Sequence, residues 1–154
     1  MAVPTGTGPT HLSYKEAAAV CIFHAGSVCL AQRIETCPLS DKPLPFPGYW
    51  APFGGAIETN ESAMAAACRE LKEEAQIDIQ ISDLEYMQEI TNDDDSRYIL
   101  YAYHPGSLVF PTLNFEHTQF GYFRVESLHI SPNPLCPSVQ EAIQSYEEIR
   151  WKSE

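Results

Sequence analysis

Segments patterned like β-strands alternate along this chain with two helical ones, and that order constrains the fold more than any other feature. The run AAAVCIFHAGSVCLAQR divides into two extended apolar segments, 17–24 and 28–33. The Ala-Gly-Ser between them suits a hairpin. The next connection, IETCPLSDKPLPFPGYW, holds four prolines, which exclude a helix and a central strand. Gly54-Gly55 then predicts a turn leading into a short extended piece. Residues 62–75 carry the clearest helical period, with Met64, Cys68, Leu71 and Ala75 forming one apolar stripe. Thr59, Asn60 and Ser62 are each suited to cap that helix. IDIQISDLEYMQEI predicts one or two strands, residues 98–103 another after an acidic turn, and QFGYFRV a further one. Pro137 predicts a terminal helix from about residue 138. Strands interleaved with two helices predict a layered α/β domain on a mixed sheet.

A chain of 154 residues is expected to form one domain, here 15–154 behind a loose leader of residues 1–14. The leader lacks the basic start and apolar core of a signal peptide. No apolar run approaches the roughly 20 residues of a membrane span, so the cytoplasm is the expected location. Cysteines stand at 21, 29, 37, 68 and 136, an odd number with no CxxC pair. Reduced thiols fit this better than a zinc site or a disulfide framework. Acidic residues number 21 against 9 basic, for a net charge of -12. Nonspecific nucleic-acid binding needs basic patches, and none is visible. An acidic protein acting on an anionic substrate needs divalent cations to bridge the like charges.

RELKEE, residues 69–74, sharpens that point. On a helix Glu70 lies one turn from both Glu73 and Glu74, so the three acids point to one side. At about 100° per residue that side lies roughly 130° from the apolar stripe. The ordinary reading is a solvated charged face, with Arg69 and Lys72 as partners. The functional one is a set of oxygen donors of the kind magnesium requires. Glycines just upstream let backbone approach a ligand, so a carbonyl from that turn could complete the cation's shell.

The stretch from Gly55 to Ile77 resembles the Nudix box, G-x5-E-x7-R-E-U-x-E-E-x-G-U with U bulky and apolar. Gly55, Glu61, Arg69, Glu70, Leu71, Glu73, Glu74 and Ile77 occupy its places, and Gln76 stands where the family has glycine. The lead-in YWAPFGG is similar to that of MutT-type nucleotide pyrophosphohydrolases. The resemblance implies an α/β/α sandwich with a mixed β-sheet. It also implies hydrolysis of a nucleoside diphosphate linked to another group, with Mg²⁺ or Mn²⁺.

Carried over position by position, the resemblance makes Glu70, Glu73 and Glu74 cation ligands, joined by the Gly54 carbonyl. Arg69 is expected either to fix a neighbouring glutamate, for which its i, i+4 spacing to Glu73 is suited, or to act directly on substrate as a catalytic group, and Gly55 and Glu61 are supporting. Glu116 in NFEHTQFGYF supplies a further acid, and the proton acceptor is Glu73 or Glu116. His117 is expected to be an exposed neighbour. Arg33 is placed to hold phosphate, in a bidentate grip. Trp50 and Phe53, with Phe46 and Tyr49, stack on a base or belong to the core. Gln76 either adopts a left-handed conformation, at on the order of 1 kcal/mol, or the helix ends differently.

The leading substrate expectation is a (d)NTP or modified dNTP cleaved to a nucleoside monophosphate. ADP-ribose or a dinucleoside polyphosphate is the alternative, and a non-catalytic nucleotide-sensing module is another. Expected partners are small nucleotides, with no nucleic acid and no membrane, for a monomer or a homodimer.

Overall fold

The computed structural model describes residues 16–34 and 47–153. Expectations for the leader, for Cys37 and Phe46 and for most of the proline-studded connection lie outside the described residues. The strands are β1 (Glu16–His24), β2 (Ser27–Arg33), β3 (Trp50–Ala51), β4 (Phe53–Ala56), β5 (Leu84–Thr91), β6 (Arg97–Tyr103) and β7 (His117–Arg124). The helices are α1 (Ala63–Ala75) and α2 (Pro137–Ser153). No helix among the described residues is long and apolar enough to cross a membrane.

One mixed sheet runs β3-β2-β1-β6-β5, with β4 also paired to β1 and β7 to β2. β1 and β6 are parallel, and the other pairs are antiparallel. A parallel pair needs a long crossover, and α1 lies within it. The β1–β2 hairpin turns on Ala25 and Gly26, both at positive φ (48° and 80°). Two such residues give the turn whose twist matches the flanking strands.

β1 explains the layering. Ala18, Val20 and Ile22 join a core with Ala66, Ala67, Leu71 and Ala75 of α1. Ala19, Cys21 and Phe23 join a second core with Val139, Ala142 and Ile143 of α2. Alternate side chains of a strand point to opposite faces, so a strand apolar on both must be covered on both. The result is the α/β/α sandwich.

Two expectations are corrected. Gly54-Gly55 is not a turn but the middle of β4, opposite Ala19 and Ala18 of β1. The buried face of α1 is also rotated from the predicted stripe. It comprises Ala66, Ala67, Leu71, Glu74 and Ala75, while Met64 and Cys68 are only partly buried. Small alanines let this side of the helix lie close to the sheet, and the bulkier Met64 and Cys68 are displaced to the flank.

Ser62 is the cap, its hydroxyl accepting from the Ala65 N–H at 3.1 Å. At the other end Gln76 is left-handed (φ 56°, ψ 35°), and its N–H donates to the Lys72 carbonyl at 3.0 Å. The Thr112 and Asn114 N–H groups take the last free carbonyls, of Ala75 (2.8 Å) and Glu74 (3.2 Å). The 104–116 loop is thereby tied to the C-terminus of α1. Gln76→Gly should stabilise the fold by about 1 kcal/mol, because glycine adopts this conformation without the Cβ conflict. Urea denaturation of the two chains at equal m-value checks it.

Candidate active site

The site forms where α1 lies against β4. A Cβ on Gly55 would fall 2.0 Å from Glu70 Oε2, and one on Gly54 2.3 Å from the Ala18 carbonyl oxygen. Neither glycine has a positive φ. Their requirement is space, not backbone conformation, which corrects the reading of a flexible turn. With no side chain between them, helix and strand approach until the Gly54 N–H donates to Glu74 Oε1 at 3.1 Å.

The three box acids do not share one solvated face. Glu73 is 54% exposed at its side chain, Glu70 12% and Glu74 2%. Burial pushes Glu74 up to about 9, reinforced by the charges of Glu70 and Glu116 and opposed by Arg33 and the Gly54 N–H. Burial also raises Glu70, to about 7, against the pull of Arg69 and with the push of Glu73 and Glu116. Desolvation and like charge both disfavour the ionised forms. Glu116, one residue before β7, therefore lies within electrostatic reach of both. It is oriented by Asn114, whose side chain donates to Glu116 Oε1 (3.3 Å) and accepts from the Glu116 N–H (2.9 Å).

Arg69 is a brace. Its Nε and Nη2 donate to the two carboxylate oxygens of Glu61 at 2.8 and 3.0 Å. Nη2 also reaches the Ala56 carbonyl at 3.0 Å, and Nη1 meets Glu73 at 3.3 and 3.4 Å. Glu61 further accepts from the Glu58 N–H at 3.0 Å, and the Arg69 fork holds its carboxyl below the usual range. The spacing on α1 pointed to Glu73 as the partner of Arg69. The closer grip is on Glu61, because a planar guanidinium pairs best with a carboxylate presented edge-on. Its donors are thus engaged by Glu61, Glu73 and the Ala56 carbonyl.

Arg33 ends β2, and its Nη2 donates to the Gly54 carbonyl at 3.3 Å. The oxygen expected to face a cation thus faces a guanidinium. Phe53 is fully buried in the core and offers no face for a base, contrary to one of the two readings of it. His117 is corrected most sharply. Expected at the surface, its side chain is 0% exposed, and neither ring nitrogen has a hydrogen-bond partner among the described residues. Burial, with Arg33 nearby, depresses it to about 4.

A cavity of about 210 Å³ opens beside Gly55 and Arg33. Its walls include Trp50, Tyr98 and Val139, with Asn92, Ser96 and Arg97 farther along. Arg97 is paired there with Glu16 and, at 2.9 Å, Glu89. Sequence pattern gave no signal for the β5–β6 residues, which reach the cavity through the β1–β6 pairing, or for those of α2, which packs on that face of the sheet. Of the residues at fixed box positions only Gly55 lines this cavity, and two wider grooves, of about 480 and 500 Å³, flank α2 and are lined by none.

Among the described residues no group of three or more His, Cys, Asp or Glu side chains is arranged to hold a metal ion as it stands. Glu74 is turned to the Gly54 N–H, and Glu73 lies along Arg69. The donor chemistry nevertheless fits a hard cation. All the candidates are oxygens, and a cation would offset the burial and the like charge that raise Glu70 and Glu74. The long Glu73–Arg69 contacts leave Glu73 free to turn.

The NUDIX domain family model matches residues 13–146. Among solved structures, a MutT NUDIX hydrolase from Burkholderia pseudomallei aligns at 20% identity over 84% of this chain and 95% of that one, with TM-score 0.63. The E. coli ORF135 protein aligns at 26% identity over 88% and 89%, with TM-score 0.63. A C. elegans Ap4A hydrolase, solved as a binary complex, aligns at 20% identity over 88% and 98%, with TM-score 0.63. No curated protein matches the chain.

The raised acids set a pH dependence. Without a divalent cation the folded chain keeps protons on Glu70 and Glu74 up to about 7 and about 9. The unfolded chain releases them near about 4.3. Between those values the folded state binds more protons, so stability falls as pH rises. In EDTA, Tm should be lower at about pH 9 than at about pH 5.5, and Glu74→Gln should flatten the slope. Thermal unfolding across that range measures both.

Proposed function

Since the chain belongs to the Nudix family, we propose that it cleaves a (d)NTP or a modified dNTP to the nucleoside monophosphate, with Mg²⁺ or Mn²⁺. Nudix hydrolases act on pyrophosphate bonds of small-molecule nucleotides and generally use divalent cations. The observation that carries the finer reading is the meeting of Glu70, Glu74 and Glu116 around Gly54-Gly55, beside a largely apolar cavity with Gly55 and Arg33 in its wall.

Glu70, Glu73 and Glu74 would hold the cation, with Glu116 and the Gly54 carbonyl as further oxygens. A divalent cation there would neutralise the pyrophosphate and make water a stronger nucleophile. Water adds to one phosphorus while the bridging oxygen leaves with the other phosphoryl group. Glu73 or Glu116 takes the proton released by the water. Arg33 turns from the Gly54 carbonyl to a phosphate oxygen, and Trp50 stacks on the base within the cavity. The partly covered site keeps Glu70 and Glu74 in a low-dielectric surround, where charge interactions are strongest. In this reading the chain works in the cytoplasm on free nucleotides.

Glu73→Gln and Glu74→Gln should each lower turnover by about a hundredfold or more while the fold stays intact. Incubation with a nucleotide panel and Mg²⁺, followed by chromatography for monophosphate, tests the substrate. Highest kcat/KM on ADP-ribose or a dinucleoside polyphosphate would overturn the triphosphate assignment. Tight binding without turnover would instead make the chain a nucleotide sensor.

A further inference from the structure

His117 opens β7 in register with Arg33 of β2. Its ring packs edge-on against Phe53, with centroids 5.5 Å apart. Nε2 stands 3.8 Å from Glu74 Oε1, beyond hydrogen-bond reach, and Nδ1 and Nε2 are both sealed from solvent without a partner among the described residues. Buried polar atoms left unsatisfied are costly. An apolar side chain of similar size, such as leucine, would pack against Phe53 without that cost. The imidazole therefore needs a partner that the present side-chain arrangement does not supply, and the Glu74 carboxylate is the polar group it faces. The distance is too long by less than 1 Å, a gap that a small rotation of either side chain closes.

We propose that His117 is a positioning residue for Glu74, donating from Nε2–H to the Glu74 carboxylate when that carboxylate binds a divalent cation. This rests on the reading of Glu74 as a cation ligand. Glu74 would then be held from two sides, by the Gly54 N–H and by the ring. The cation would take an oxygen already fixed in direction. Partners of this kind orient the atoms that touch a metal, and removing them typically weakens metal affinity by about 10–100-fold.

Isothermal titration of the nucleotide-free full chain with Mn²⁺ tests this. His117→Leu nearly keeps the volume and removes the nitrogens, and it should bind Mn²⁺ about 10–100-fold more weakly at an unchanged or higher Tm. His117→Gln restores a donor and should recover part of the loss. Wild-type affinity in His117→Leu, beside an impaired Glu74→Gln, would overturn the role of His117 alone. Wild-type affinity in Glu74→Gln would overturn the cation reading and this proposal with it. A third measurement needs no variant. In the ¹⁵N-histidine-labelled wild-type chain, Mg²⁺ should shift the Nε2 resonance of His117 as a protonated donor, and an unmoved signal would overturn the proposal.

Discussion

The close approach of one helix to one strand governs the rest of this structure. Gly54 and Gly55 carry no side chain, and the alanines of α1 carry little. The helix can therefore settle until Glu70 lies against the Gly55 backbone and Glu74 accepts from the Gly54 N–H. A single Cβ at either glycine would collide with the acid or with the β1 backbone. Two carboxyl groups are thus pressed into a partly desolvated seam, where their charges cost most. A fold would not hold acids there for stability. The arrangement suits a site that gathers anionic oxygen for a cation.

The seam is held by groups that touch no ligand. The Arg69–Glu61 fork ties α1 to the segment before it, and the Arg69 contact with the Ala56 carbonyl ties it to the end of β4. At the other end the 104–116 loop donates two N–H groups to α1, and that fixes where Glu116 can stand. Acids far apart in the chain are brought together because one helix is pinned at both ends. Pinning also explains why Gln76 is tolerated in a left-handed conformation. The loop contacts supply the last turn with partners, so the strain of one residue does not unravel it.

The site is asymmetric in charge and polarity. Acids line the seam, Arg33 stands between seam and cavity, and the cavity beyond is largely apolar. Anionic and aromatic parts of one ligand would find separate surroundings. Orientation then follows from solvation, since exchanging the two ends would bury charge against Trp50 and Val139.

The sequence by itself determined the element order, the hairpin, the helix with its acids and the family. Each of these is written in local periodicity or fixed spacing, which hold wherever the segment lies. Tertiary structure decided which side of α1 is buried, because small alanines give a weak pattern but allow the closest packing. It decided that Gly54-Gly55 is a strand, since a glycine's need for space is set by what lies across from it. It buried Phe53 and His117 and brought Tyr98 and Arg97 to the cavity through the pairing of β1 with β6. These features depend on neighbours dozens of residues away. Burial and charge are properties of the surroundings a side chain meets after folding, and no short stretch of sequence encodes those surroundings.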